Sequence, residues 1–323
     1  MAEFDLPLEQ LRAYRPDVRR PDDLQAFWDA TIEESRALAE PPRTERVETG
    51  MTLVDTHDVT FSGFGGHPIR AWAHVPAGAS GPLPAVVEFH GYSGGRSLAW
   101  QNQVFATAGY VHLTVDSRGQ GWKAVGATPD PTADAGLSTE PGVMTKGIAD
   151  KDTYYYRRLF TDAALAVDAA RALPWVDAAR VAVTGASQGG GLAIAAGALN
   201  HDVVAVATDV PFLCHFERAL AISDRDPYGE IVRHLARYRD RVEQTLDVLS
   251  YFDGANLAAL AQAPALFSVG LRDQTCPPST VYAAFNHWGG DDKEMAVYRF
   301  NDHEGGGEHH VPRKLAFLAQ HLR

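Results

Sequence analysis

The stretch RVAVTGASQGGGLAIAAGAL, Arg180 to Leu199, changes character at its midpoint. Its first half is short and apolar, the pattern of a strand buried between two helix layers. Its second half is rich in alanine, as a helix is. Between them stands GASQG, Gly185 to Gly189, a lone serine flanked by glycines at a strand-to-helix junction. Glycines suit a turn so tight that a Cβ would strike the neighbouring strand and helix. The serine itself falls at a helix N-terminus, where unpaired N–H groups favour developing negative charge.

Gly-x-Ser-x-Gly in that position is the nucleophile elbow of α/β-hydrolases. A serine at a helix start is also an ordinary cap, so the motif needs company. Working outward, the strand patterns are AVVEF, VHLTV, VAVTG, VVAVATDV, ALFSVG and MAVYRF, between residues 85 and 300. Helical stretches such as YYRRLFTDAALAVDAARAL and PSTVYAAFNHW lie between them. This alternation predicts an α/β protein with a mainly parallel sheet flanked by helices. Ahead of it, DVTFSGF and PIRAWAHV flank Gly65-Gly66 and predict a hairpin, and Arg20 to Leu38 predicts a helix starting at Asp22 or Asp23.

The alternation breaks once, between Cys214 and Ala263, where the chain is charged and helical without a strand signal. The expectation is one domain over 1–323, with a helical N-terminal extension over about 1–45 and a helical cap inserted over about 215–260.

A serine hydroxyl needs a base, and the base needs an orienting acid. In this fold they follow in the order serine, acid, histidine. His303 lies in NDHEGGG, just after the MAVYRF strand, where a base would be presented. His287 falls inside a helical stretch, and His309 and His310 lie beyond a glycine run. For the acid, Asp273 in LRDQT follows the ALFSVG strand; the rival is Asp209, at the end of VVAVATDV. An oxyanion needs two donors. The residue after the nucleophile supplies one, the backbone N–H of Gln188. The loop EFHGYSGG, Glu88 to Gly95, supplies the candidate for the other, the N–H of Tyr92.

The crowding of acids and histidines in DHEGGGEHH invites a metal reading. Zinc sites of the HExxH kind need their ligands on one helix face, and three consecutive glycines break a helix, so a metal site is not expected there. With 41 Asp+Glu against 29 Lys+Arg the net charge is -12, which removes the electrostatic footprint of a nucleic-acid binder and repels an anionic membrane. MAEFDLPLEQLRAYRPD has no apolar signal-peptide core, and no run is long enough to span a bilayer. Cys214 and Cys276 lack metal-ligand spacing, so a reducing cytoplasm is the expected location.

The chain resembles carbohydrate esterase family 7, the acetyl xylan esterases and cephalosporin C deacetylases of the α/β-hydrolase superfamily. The resemblance rests on RGQ at Arg118 to Gln120, GASQG, and HE at His303-Glu304, in that order. The stretches RGQGWKAVGATPDP and MTKGIADKDTYYYRRLFTDA carry it further. It implies an intracellular serine esterase acting on small acetylated substrates without metal or cofactor. The implied triad is Ser187, Asp273 and His303, the implied oxyanion donors Tyr92 and Gln188. It also implies a ring-like hexamer. Two alternatives stand beside it: a dipeptidyl-type peptidase on the same scaffold, and a non-catalytic binding module.

Overall fold

A nine-stranded sheet organises the described residues, 4–131 and 142–322, of the computed structural model. The strands are β1 (Arg43–Val47), β2 (Val54–Ser62), β3 (Pro68–Pro76), β4 (Leu83–Phe89), β5 (Val111–Val115), β6 (Val176–Ala186), β7 (Val203–Asp209), β8 (Ala265–Gly270) and β9 (Lys293–Tyr298). They lie in the order β1-β2-β3-β5-β4-β6-β7-β8-β9. Pairings among β1, β2, β3 and β5 are antiparallel; those running from β5 through β4 to β9 are parallel.

The hairpin between β2 and β3 forms as the sequence predicts, with Gly65 and Gly66 at φ 64° and 75°, values that disfavour a side chain. β1 was not anticipated. RTERV is charged and mostly exposed, so nothing in its own pattern marks a strand; it forms because the β2 edge offers it partners. α1 (Leu8–Arg12) and α2 (Leu24–Arg36) precede the sheet. The predicted helix from Arg20 to Leu38 is therefore shorter at both ends, with Asp23 at its N-cap position but no side-chain cap bond. Its buried face, Leu24, Phe27, Trp28, Thr31, Ile32 and Ser35, follows the helical period.

α3 (Val104–Thr107) links β4 to β5, α4 (Tyr155–Arg171) precedes β6, and α5 (Gln188–Leu199) links β6 to β7. Between β7 and β8 come α6 (Phe216–Ile222), α7 (Tyr228–Arg237), α8 (Val242–Ser250) and α9 (Gly254–Ala258); α10 (Pro278–His287) and α11 (Val311–Leu322) complete the order. Alternate residues of the central strands enter two cores. Ala85, Val87 and Phe89 of β4 join the core beneath α4 and α5, whereas Val86 joins the one beneath α3 and α11. Every residue of α5 is buried, since it packs against the sheet, α4 and α9 at once. That explains an alanine- and glycine-rich sequence with no polar face.

One feature of strand order positions the site. The chain leaves β4 toward β5 on one side and returns through β6 on the other, so β4 and β6 are neighbours. Loops leaving their carboxyl ends diverge and open a crevice, where open α/β sheets bind ligands.

Candidate active site

Ser187 stands at the carboxyl end of β6, immediately before α5, with φ 58° and ψ -121°. A non-glycine residue rarely adopts such a backbone, and the surroundings impose it. Its N–H donates to the Asp209 carbonyl at 2.9 Å, and its carbonyl accepts from Gly191 and Phe212 at 3.0 and 2.9 Å. The flanking glycines are sterically required. A Cβ on Gly185 would stand 2.4 Å from the Gly189 backbone, and one on Gly189 would stand 2.1 Å from the Phe89 carbonyl oxygen.

The Ser187 hydroxyl lies 3.0 Å from His303 Nε2, and His303 Nδ1 lies 2.8 Å from Asp273 Oδ2. An ionised carboxylate only accepts, so Nδ1 carries the proton and Nε2 is free to accept from the hydroxyl. Asp273 is fully buried, and its other oxygen accepts from the N–H groups of Thr275 and Cys276, both at 2.8 Å. Three hydrogen bonds thus fix the orientation of the carboxylate. Asp302 accepts from the Gln274 N–H at 3.3 Å, while Glu304 accepts from Asn301 at 2.6 Å and from the Asp302 N–H at 3.1 Å. The acid of the HE pair therefore braces the loop that carries the imidazole.

The rivals are engaged elsewhere. Asp209 pairs with Lys314 and lies 3.2 Å from His310 Nε2, and His310 Nδ1 accepts from Tyr298 at 2.8 Å. Burial alone would raise the Asp209 carboxyl; Lys314 and His310 outweigh it and hold it below its ordinary value. His287 Nδ1 bonds the Ala283 carbonyl of its own helix at 2.8 Å, and His309 is exposed. Asp273, Cys276 and His303 offer ligand atoms within 4.8 Å of one another, the one such group among the described residues. The Asp273 and His303 atoms already bond to each other, and Asp273 also accepts from two backbone N–H groups. Burial, reinforced by the Asp273 charge, pushes the Cys276 thiol well above its ordinary range, which keeps it protonated and a poor ligand.

Gln188 opens α5, so its N–H has no partner four residues back within the helix. The β4 loop approaches closely: a Cβ on Gly91 would lie 3.7 Å from the Ala186 carbonyl and 3.9 Å from Ser187 Cβ. Tyr92, the next residue, is thereby set against the turn between β6 and α5 that carries Ser187. Its hydroxyl donates to Glu230 of α7 at 2.7 Å, and Glu230 also accepts from the Met144 N–H at 3.3 Å. Glu230 escaped the sequence reading, because nothing near residue 230 marks it as facing a loop 138 positions earlier. The inserted helices also reach the site through Ser223, which donates to the Gln274 carbonyl at 2.7 Å, and Arg225, 3.4 Å from Asp302. They lie over the carboxyl ends of the strands.

Arg118 of RGQ is fully buried and bonds Asp162 with two parallel contacts of 2.6 Å. It is a structural brace joining the β5 loop to α4. What the assembly offers chemically is a hydroxyl facing an imidazole that a buried carboxylate orients, beside two backbone N–H candidates.

A family model described as acetyl xylan esterase (AXE1) matches residues 1–321. The acetyl xylan esterase of Paenibacillus sp. R4 is 38% identical, superposes with a TM-score of 0.90, and is matched over 98% of this chain and 100% of its own. Acetyl xylan esterase 1 of Thermoanaerobacterium sp. JW/SL YS485 is 30% identical, with a TM-score of 0.89 over 99% of this chain and 100% of its own. Acetyl esterase Axe7A of Xylanibacter ruminicola is 25% identical over 299 residues, 90% of this chain, which spans 65% of that protein's length. The fold is that of the α/β-hydrolases, and the chain belongs to the acetyl xylan esterase family.

Proposed function

We propose that this chain is a serine esterase that removes acetyl groups from small esters, such as acetylated xylo-oligosaccharides and cephalosporin C. The observation that carries the proposal is the unbroken line from the Ser187 hydroxyl through His303 to the buried Asp273, itself held by two backbone N–H groups. Membership in the acetyl xylan esterase family supports acetyl esters over peptides.

Ser187 Oγ attacks the acetyl carbonyl carbon as His303 Nε2 takes its proton. Asp273 stabilises the imidazolium through Nδ1–H, and the N–H groups of Tyr92 and Gln188 hold the oxyanion. The C–O bond to the alcohol then breaks, and His303 returns the proton to the leaving oxygen. Water attacks the acetyl-enzyme with His303 again as base, releasing acetate and restoring the serine. No metal or cofactor enters these steps. A single catalytic domain with its helical cap follows from the strand and helix pattern of the sequence, and assembly as a hexamer follows from the resemblance. The two free, buried cysteines accord with a reducing cytoplasm.

The test is Ser187→Ala with p-nitrophenyl acetate as substrate. Turnover is expected to fall by about 10⁴ or more with the fold unchanged by circular dichroism. A folded variant retaining more than a tenth of wild-type activity overturns the assignment. Acetate release over a panel of acetylated sugars and cephalosporin C sets the substrate range.

A further inference from the structure

RGQ contains a second polar residue whose place the proposed chemistry does not use. Gln120 is 1% exposed, and Gln188, the residue after the nucleophile, is 0% exposed. Gln120 Oε1 accepts from the N–H of Ser93 at 2.7 Å. Gln120 Nε2 donates to Gln188 Oε1 at 2.9 Å and to the Tyr155 hydroxyl at 3.0 Å. Gln188 Oε1 also accepts from Tyr156 at 2.9 Å, and Gln188 Nε2 donates to Gln120 Oε1 at 3.3 Å and reaches the His90 carbonyl at 3.4 Å.

One carboxamide therefore bridges two loops. Ser93 follows Tyr92, the candidate donor on the β4 loop, and Gln188 carries the candidate donor on the β6 side. We propose that Gln120 is a positioning residue for the oxyanion hole, setting the spacing between the N–H groups of Tyr92 and Gln188. The proposal rests on the esterase reading above.

The geometry dictates the chemistry of this position. The Ser93 N–H is a fixed donor, so the carbonyl end of Gln120 must face it, which turns the amide nitrogen toward Gln188. Gln188 must then present its oxygen, and Tyr156 completes that acceptor. Glutamate would still accept from Ser93 and from Gln188 Nε2 but would lose the shorter bond donated to Gln188 Oε1, and asparagine is one methylene too short to reach both loops. Ser93 also has φ 72°, a backbone that an unpaired N–H would not hold by itself. The bridge is anchored behind, where Tyr155 donates to the Arg118 carbonyl at 2.5 Å and Arg118 is clamped to Asp162. Arg118 thus supports the platform from which Gln120 reaches the two loops.

Donors act on an oxyanion only within about 2.7–3.1 Å, and deleting one costs about 10²–10³ in turnover. Loosening the spacing of two donors should cost less, about tenfold to a hundredfold. The experiment compares Gln120→Leu and Gln120→Glu with wild type, each rate divided by the number of serines labelled to completion by a fluorophosphonate. The expected result is that kcat per labelled site falls about tenfold to a hundredfold while KM moves less than threefold. A trifluoromethyl ketone, which adds to the serine as a tetrahedral oxyanion, should lose affinity by the same factor as kcat/KM. A purely structural role would lower the labelled fraction and the melting temperature while leaving kcat per site and the ketone affinity untouched; that outcome overturns the proposal. Where Gln120→Leu does not fold, Gln188→Met removes the same bridge from its other end and keeps the backbone N–H. The same drop is expected there, and a kcat per site within twofold of wild type overturns the proposal. An active Ser187→Ala would instead refute the esterase reading on which it rests.

Discussion

Replacing Asp273 by asparagine tests the imidazole's proton placement more sharply than removing it. One oxygen of Asp273 accepts from the N–H groups of Thr275 and Cys276, and the other faces His303 Nδ1. In Asp273→Asn the carbonyl must stay with the two backbone donors, since an amide NH₂ pointed at them would leave three donors face to face. The NH₂ therefore turns to His303 and donates to Nδ1. That moves the ring proton to Nε2, which then cannot accept from Ser187. The shape is unchanged while the base is switched off. A wrong tautomer of this kind costs about 10⁴ in kcat, or about 5 kcal/mol of barrier. Asp209→Asn makes the opposite case. It leaves His303 alone but strips the partner from buried Lys314, so the loss should appear as about 3–5 kcal/mol of stability. Stopped assays with p-nitrophenyl acetate, normalised to labelled serine and paired with urea unfolding, separate the two. If Asp209→Asn lowers turnover per site more than Asp273→Asn does, the assignment of the acid is wrong.

Two further outcomes follow from the same geometry. Tyr92→Phe keeps the backbone N–H but removes the donor to Glu230, whose carboxyl burial already holds above its ordinary value. Stability should drop by about 1–3 kcal/mol with kcat changed less than tenfold; a loss of turnover as large as that of Ser187→Ala would contradict the backbone role. His74 is fully buried and burial pulls its ring down to about 3, so the folded chain refuses a proton that the unfolded chain accepts below about 6.5. Its contribution is intact above that pH and is lost as the pH falls. Asp253, raised to about 6 by burial, works in the opposite direction over the same window, so the measurement is a difference. Between pH 7 and pH 5, His74→Gln should lose about 2 kcal/mol less stability in urea than wild type. Equal losses would show that this ring is not held neutral.

The elbow, the alternating core and the loops carrying His303 and Asp273 were legible in the sequence for a common reason. Each is carried by contiguous residues: a buried strand of β-branched residues, then a loop whose composition marks its end. Ser187, Asp273 and His303 each follow such a strand, and the chain order of the three adds information that no single motif holds. β1 was not legible, because a charged strand is defined by the edge it pairs with and not by its own pattern.

Partner choice among buried polar groups lay wholly in the tertiary structure. Asp209 ends β7 and Asp273 lies in the loop just beyond β8, and neither local sequence names the partner of its carboxylate. Lys314 and His310, more than a hundred residues further on, claim the first, and the Thr275 and Cys276 N–H groups fix the second toward His303. The same holds for Gln120 and Glu230. Their partners on the β4 loop and at the start of α5 come within reach only because β4 and β6 lie side by side and the inserted helices fold over them. A hydrogen bond of 2.7 Å carries no trace along the chain when its ends are 27 or 138 residues apart; the strand order decides whether it exists.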